Sequence, residues 1–215
     1  FRRFMELALY GEGGFYAGDG SAGRRGDFIT SPEVGPLFGA VLARALDAWW
    51  KEMGEPDGFT VVEAAAGPGT LARSILAARP ACLQRGRYVA VEVSAVQRER
   101  HPEGIESRST LPDGGFTGVI IANELLDNLA FDIVRHDGAG NFERLDVHHT
   151  GEGLEFVVAP TEAPASLAPV LFSAPAGEWM PLQEHAVRWL MEAVDRLDRG
   201  SVIAIDYGAA TDEIA

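Results

Sequence analysis

Apolar residues recur along the chain with two different periods, and the changes of period mark its elements. Phe4, Leu7 and Ala8 fall at helical spacing, which predicts a short helix within residues 1–10. Residues 11–26 are dense in glycine and read as a loop. Thr30-Ser31-Pro32-Glu33 then carries a helix start: a hydroxyl cap, a proline in the first turn and a carboxylate facing the positive end of the dipole. Leu37, Phe38, Val41, Leu42, Ala45, Leu46 and Trp49 continue that helix as one broad apolar face, closed by Gly54 and Pro56.

The middle of the chain alternates between short apolar runs and helical segments. Strands are predicted over 59–64, 88–93, 105–107 and 118–122, with helices over 70–78 and 94–100. Such alternation predicts an α/β fold with a mainly parallel sheet and helices on both faces, and strands without polar alternation fit burial on both sides. The pattern then changes to strands at 132–136, 142–149 and 154–159, separated by Asp137-Gly138-Ala139-Gly140-Asn141 and Gly151-Glu152-Gly153. Those breaks are hairpin signals, so an antiparallel β meander is inserted into the scaffold. Residues 160–181 are rich in proline and alanine and read as loop; 184–197 returns to helix and 201–206 to a buried strand. The expectation is one domain: an N-terminal helical and lid segment (1–58), a central core (59–131), the meander (132–160) and a return to the core (161–215), with the chain cut from a longer protein.

Composition narrows the function. The 215 residues carry 18 Lys+Arg against 32 Asp+Glu, a net charge of −14 that repels duplex DNA and anionic membranes and tolerates a cationic partner. Lys51 is the one lysine among those basic residues, a bias that goes with a GC-rich bacterial genome. Cys82 is the single cysteine, which fits a reducing, cytoplasmic setting and a packing role. The histidines form no metal pattern, and no apolar run is long enough to span a bilayer.

The chemistry concentrates in Val61-Val62-Glu63-Ala64-Ala65-Ala66-Gly67-Pro68-Gly69-Thr70-Leu71, where a strand ends in a small-residue turn that opens a helix. A ligand can approach that backbone and meet free N–H groups. Glu92 ends the next strand roughly 20 residues on, the spacing of an acid that accepts ribose hydroxyls. Two cofactor classes use this arrangement. Gly67-Pro68-Gly69-Thr70-Leu71-Ala72 fits the dinucleotide fingerprint G-x-G-x-x-A of nicotinamide oxidoreductases. Glu63 through Gly69 fits the first motif of class I methyltransferases, E/D-x-G-x-G-x-G, with Ala65 at its first glycine position. A third reading is a glycine turn needed only for close packing.

Blocks spread over nearly the whole chain resemble the MidA-like methyltransferases, which include a mitochondrial complex I assembly factor that methylates arginine. Phe4-Met5-Glu6-Leu7-Ala8-Leu9-Tyr10 with Gly14-Phe15-Tyr16 is similar to F/Y-M-x-x-A-L-Y…G-Y-Y. Gly26-Asp27-Phe28-Ile29-Thr30-Ser31-Pro32-Glu33, followed by Phe38-Gly39, is similar to G-D-F-x-T-S-P-E…F-G and is the most specific match. Glu92-Val93-Ser94, Ala122-Asn123-Glu124-Leu125-Leu126-Asp127-Asn128 and Ile205-Asp206-Tyr207-Gly208 resemble three further blocks in the family's order. The chain departs from the family at Ala65 and at Ala130, where proline is usual.

The resemblance implies a class I, Rossmann-like methyltransferase that uses S-adenosyl-L-methionine, with an arginine-bearing protein as partner. It places Glu63, Gly67 and Gly69 at the cofactor's amino-acid end, Glu92 on its ribose and Asn123 beside it. Gly26, Asp27, Thr30, Ser31 and Glu33 become a lid-like segment over the same pocket. Glu124 is the expected catalytic residue, orienting the acceptor or taking its proton, with Asp127 in support; the bland alternative is a solvated acidic first turn of a helix. Asp206 and Tyr207 either line the pocket or anchor the following turn. A degenerate methyltransferase fold acting as a non-catalytic assembly factor stays open because of Ala65.

Overall fold

A computed structural model describes residues 1–16, 32, 35–162 and 174–208. In chain order the helices are α1 (Arg2–Tyr10), α2 (Leu37–Glu52), α3 (Thr70–Ala77), α4 (Ala95–Arg98) and α5 (Glu184–Asp195). The strands are β1 (Thr60–Ala64), β2 (Arg87–Val91), β3 (Glu106–Arg108), β4 (Phe116–Asn123), β5 (Asp132–His136), β6 (Phe142–Thr150), β7 (Gly153–Thr161), β8 (Met180–Leu182) and β9 (Leu197–Ile205). The chain divides into two compact units: Tyr16–Asp127 with Arg188–Asp206, and Phe1–Phe15 with Asn128–Val187 and Tyr207–Ala215.

The first of these units holds a five-stranded sheet in the order β3-β2-β1-β4-β9, every pairing parallel. Alternation along β1 sends its side chains to two faces. On one face Val61, Val119, Ile121 and Ala90 pack with Leu42 and Leu46 of α2 and Leu71, Ala72 and Ile75 of α3. On the other, Val62, Val89, Val91 and Ile120 pack with Ala193 and Trp189 of α5. Both layers anticipated for an α/β sheet are therefore present, and burial on both sides explains the unbroken apolar runs. Sequence order reverses between β1 and β4, which creates a crevice at the carboxyl edge where open α/β sheets bind ligands.

The other unit carries the antiparallel sheet, ordered β7-β6-β5-β8. Asp137 closes the β5–β6 hairpin, its Oδ1 accepting the Ala139 and Asn141 amides at 2.8 and 3.0 Å. Val134, Phe142, Met180 and Leu182 form this sheet's core. Within the unit Arg2 ion-pairs with Asp132 at 2.6 Å and with Glu184 at 3.3 Å.

Several element boundaries differ from the periodicity. The helix expected from the Thr30-Ser31-Pro32-Glu33 start is not continuous with α2, which begins at Leu37 with Pro36 as its N-cap and Gly35 outside it. The loop expected over 160–181 ends in a strand, because residues 180–182 form β8, with Pro181 opposite Ile133. An edge strand tolerates a proline, and burial of Met180 and Leu182 outweighs the local turn composition. The last strand begins at Leu197 rather than 201, and α5 stops at Asp195 rather than 197. Asp198-Arg199-Gly200 looks like a helix end, but pairing with Thr117 and Gly118 of β4 draws it into the sheet.

Candidate active site

Sheet register brings Glu92, Asn123 and Glu124 to one edge. Arg108, Val91, Ala64, Ala122 and Ala204 form one paired row across the five strands. The next position on each central strand is Glu92, Ala65 and Asn123, and Ile205 pairs with Asn123. One residue further stand Ala66, Glu124 and Asp206. Parallel strands all present the same end here, so residues far apart in sequence converge at the crevice.

Three residues of the turn after β1 take left-handed backbone: Ala65 at φ 56°, Gly67 at φ 52° and Gly69 at φ 79°. Ala65 therefore adopts the conformation expected of the glycine it replaces, with its methyl exposed. Its cost is roughly 1–2 kcal/mol. The two glycines differ in use. A Cβ on Gly67 would meet nothing within 4 Å, so that position faces open space. A Cβ on Gly69 would lie 2.9 Å from Pro102 Cδ and 3.3 Å from His101 Cδ2, so that glycine is required for packing.

The two acids of the turn also differ. Glu63 is 4% exposed, and Oε2 accepts the Tyr88 hydroxyl at 2.6 Å. The backbone N–H of Ala72, in the first turn of α3, favours its charged form. Burial pushes its pKa up to about 7 against the lowering effects of Tyr88, Ala72 and Arg73. The side chain thus turns inward, under the glycine turn. Glu92 is 8% exposed and joins backbone groups, its Oε2 accepting Gly67 N–H at 3.0 Å and Oε1 accepting Ser94 N–H at 2.8 Å. A carboxylate has about four acceptor sites, so two such bonds leave capacity for hydroxyl donors.

Glu124 is held left-handed at φ 51°, an uncommon conformation for a side chain of this size. Two bonds fix its segment: Glu124 N–H donates to Ile205 O at 2.8 Å, and Leu126 N–H donates to Asp206 Oδ2 at 2.9 Å. Asp206 thereby anchors the turn carrying Glu124 and Asp127. Asn123 Nδ2 lies 3.4 Å from Glu124 Oε1, which orients the amide and leaves Asn123 Oδ1 buried with no partner among the described residues. Such an orphaned acceptor calls for a donor from a ligand or water.

A cofactor with a ribose and an amino-acid end fits this edge: an open face at Gly67, spare acceptor capacity on Glu92, and the unsatisfied oxygen of Asn123. Gly26, Asp27, Thr30, Ser31 and Glu33, the expected lid, lie outside the described residues. Sequence reasoning missed His101, whose ring meets the turn at 2.9 Å from Gly67 O. No local pattern marks it, because only the fold brings residue 101 to residue 67.

Known proteins resemble the chain in sequence and in structure. Residues 41–215 match the model of a family described as S-adenosyl-L-methionine-dependent methyltransferases. A Drosophila melanogaster protein named "Protein arginine methyltransferase NDUFAF7 homolog, mitochondrial" is 28% identical over 245 residues, covering 94% of this chain and 55% of that protein. The Rattus norvegicus "Protein arginine methyltransferase NDUFAF7, mitochondrial" is 40% identical over 63 residues, 29% of this chain and 14% of that one. The crystal structure of a Burkholderia thailandensis protein bound to S-adenosyl-homocysteine has a TM-score of 0.80 at 32% identity, covering 97% of this chain and 58% of that one. A second structure from that organism gives 0.74 at 30% identity, over 97% and 56%. The chain thus spans about half the length of the Drosophila relative and of these two structures.

Proposed function

The chain belongs to this S-adenosyl-L-methionine-dependent methyltransferase family, and on that premise we propose that it methylates an arginine side chain of a protein partner. The family match sets aside the nicotinamide reading of the glycine turn. The observation that carries the finer reading is Glu124: a carboxylate held in a strained conformation, one residue beyond the row that holds Ala65 and Glu92. Strain of this kind costs on the order of 1–3 kcal/mol and persists where surrounding structure enforces it, as Ile205 and Asp206 do here.

When bound, the cofactor supplies an electrophilic methyl on a cationic sulfur. Gly67 gives it room, Glu92 accepts from its ribose hydroxyls, and Asn123 Oδ1 accepts from one of its N–H donors. Glu63 supports the turn from below, fixed by the hydroxyl of Tyr88. An arginine acceptor is itself cationic at neutral pH, so two like charges must approach. Glu124 offsets that repulsion, holds the planar guanidinium through paired hydrogen bonds and takes up the proton released on transfer. Asp127, three residues past the strained position, adds a second negative charge. The names of the Drosophila and rat relatives and the net charge of −14 support an arginine-bearing partner. A reducing, cytoplasmic compartment belongs to the same reading; it rests on the single cysteine, Cys82, which is buried with its thiol pushed up to about 12 by burial and by Asp47.

The non-catalytic alternative rests on Ala65, and the turn holds that residue in the left-handed conformation that the motif's glycine would supply, at φ 56°. Radiolabelled S-adenosylmethionine, candidate protein partners and mass spectrometry of the labelled product test the proposal. Label is expected on arginine, and Glu124→Gln should abolish it while S-adenosylhomocysteine affinity stays within about threefold. Label on another residue type, or undiminished turnover in the variant, overturns the assignment; binding without label favours a pure assembly factor.

A further inference from the structure

The segment that follows α4 lies against the glycine turn, and neither the fold nor the proposed chemistry has given it work. His101 Nε2 is 2.9 Å from the Gly67 carbonyl oxygen, and His101 Nδ1 is 2.8 Å from Ser107 Oγ. A carbonyl only accepts, so Nε2 carries the hydrogen and, in the neutral ring, Nδ1 accepts from the Ser107 hydroxyl. Ser107 belongs to β3, so its position is fixed by the sheet. From the opposite direction, Gly67 N–H donates to Glu92 Oε2 at 3.0 Å. Both backbone polar groups of one glycine are therefore gripped by side chains, at the one position of the turn whose missing Cβ opens onto free space.

Two further contacts make the brace more than a single bond. Arg73 donates to Pro68 O at 2.8 Å and to Arg100 O at 2.9 Å, which ties the turn to the same segment. Pro102 and His101 close over Gly69 at distances that admit no side chain there. A left-handed glycine has many alternative conformations, and each one populated in the free protein lowers apparent ligand affinity by the lost fraction of competent molecules.

We propose that His101 is a positioning residue for the cofactor: it acts through Gly67, locking that peptide so that the turn keeps its open face and Glu92 keeps its bridging place. The inference rests on the reading that Gly67 and Glu92 hold S-adenosylmethionine. Its test is calorimetric titration of the protein with S-adenosylhomocysteine, run on the parent, His101→Ala, His101→Gln and Ser107→Ala, with thermal melts and amide exchange alongside. His101→Ala should weaken binding about tenfold, the scale of one net hydrogen bond, and speed exchange of the Gly67 amide. The glutamine variant retains an N–H at similar reach and should stay within about threefold of the parent. Ser107→Ala leaves the Gly67 bond in place but frees the ring, and should cost about threefold. A purely structural histidine would lower the melting temperature in both His101 variants and leave affinity alike, which overturns the proposal. So does parental affinity in His101→Ala. If that variant does not fold, unchanged affinity in Ser107→Ala with parental Gly67 exchange overturns it instead. A parent that binds no S-adenosylhomocysteine would refute the cofactor site itself, a separate failure.

Discussion

Alanine at Gly67 and at Gly69 should damage the protein in two different ways, and the difference is readable from the turn. Both residues are left-handed, at φ 52° and 79°. Forcing an L-residue there costs roughly 1–2 kcal/mol, while the stiffer unfolded chain returns about 0.4–1. Gly67→Ala has no further penalty in the free protein, because its methyl meets nothing within 4 Å. A net loss of about 1 kcal/mol lowers the melting temperature of a chain this size by roughly 2–4 °C. Gly69→Ala adds an overlap with Pro102 Cδ at 2.9 Å, well inside ordinary van der Waals contact. Overpacking of that kind costs roughly 1–3 kcal/mol more, for a fall of about 5–10 °C in all.

Ligand binding should rank the other way. The Gly67 methyl occupies the space assigned to the cofactor, so affinity for S-adenosylhomocysteine should fall at least tenfold, about 1.4 kcal/mol. Gly69→Ala, measured below its own melting temperature, should lose less. Differential scanning calorimetry without ligand and isothermal titration with it give the two axes. Parental affinity in Gly67→Ala would refute the assignment of that face to the ligand. Equal stability losses in the two variants would refute the division of labour between the glycines.

Two other perturbations bear on the acids. Glu63 has its pKa raised by burial from 4.5 to about 7, so its favourable contribution is full below pH 4.5 and is lost as pH rises through 7. That shift is worth about 3 kcal/mol, and the fall in melting temperature between pH 5 and 8 should be visibly flatter in Glu63→Gln; parallel curves would show that burial of this carboxylate costs nothing. Glu124→Gly relieves the left-handed strain at φ 51° and should raise stability by about 1 kcal/mol, or 2–4 °C, while methyl transfer falls at least a hundredfold. A drop in melting temperature would mean that Glu124 contributes more to the fold than its conformation costs.

The periodicity of the core was legible because both sides of each strand are covered: Val61 and Val62 face different helical layers, so neither alternates with a polar residue. The hairpin at 137–141 was legible for a local reason, since Asp137 satisfies its own turn. What escaped was decided by partners. β8 exists because β5 offers a free edge to Met180 and Leu182, and the first residues of β9 follow β4 against their own turn composition. His101 escaped for the same reason at the level of the site: the bond to Gly67 depends on how the segment after α4 folds back. Asp206 could be placed at the edge, but its bond from Leu126 N–H ties it to the turn after β4 rather than to the turn that follows it, a link only the fold supplies.

Spacing treats Glu63 and Glu92 alike, as two acids near a glycine turn, and the register separates them. Glu63 lies inside β1, paired with Ala90, on the face that packs against α2 and α3. From there its carboxylate accepts the Tyr88 hydroxyl, and a buried acid in such a place is pushed toward neutrality. Glu92 stands one residue past the end of β2, where the backbone turns and two amides point at it. Those amides take two of its acceptor sites and leave others for a ligand. Glu124 also lies one residue past its strand, but in a conformation that its own backbone disfavours and that Ile205 enforces. On the proposed reading these three carboxylates carry three distinct burdens: Glu63 is buried beneath the turn, Glu92 joins the turn to the ligand, and Glu124 is held for the acceptor. A single shift in strand register would exchange these surroundings, so the function of each acid is set by the pairing of β1 with β2 and β4 as much as by its own chemistry.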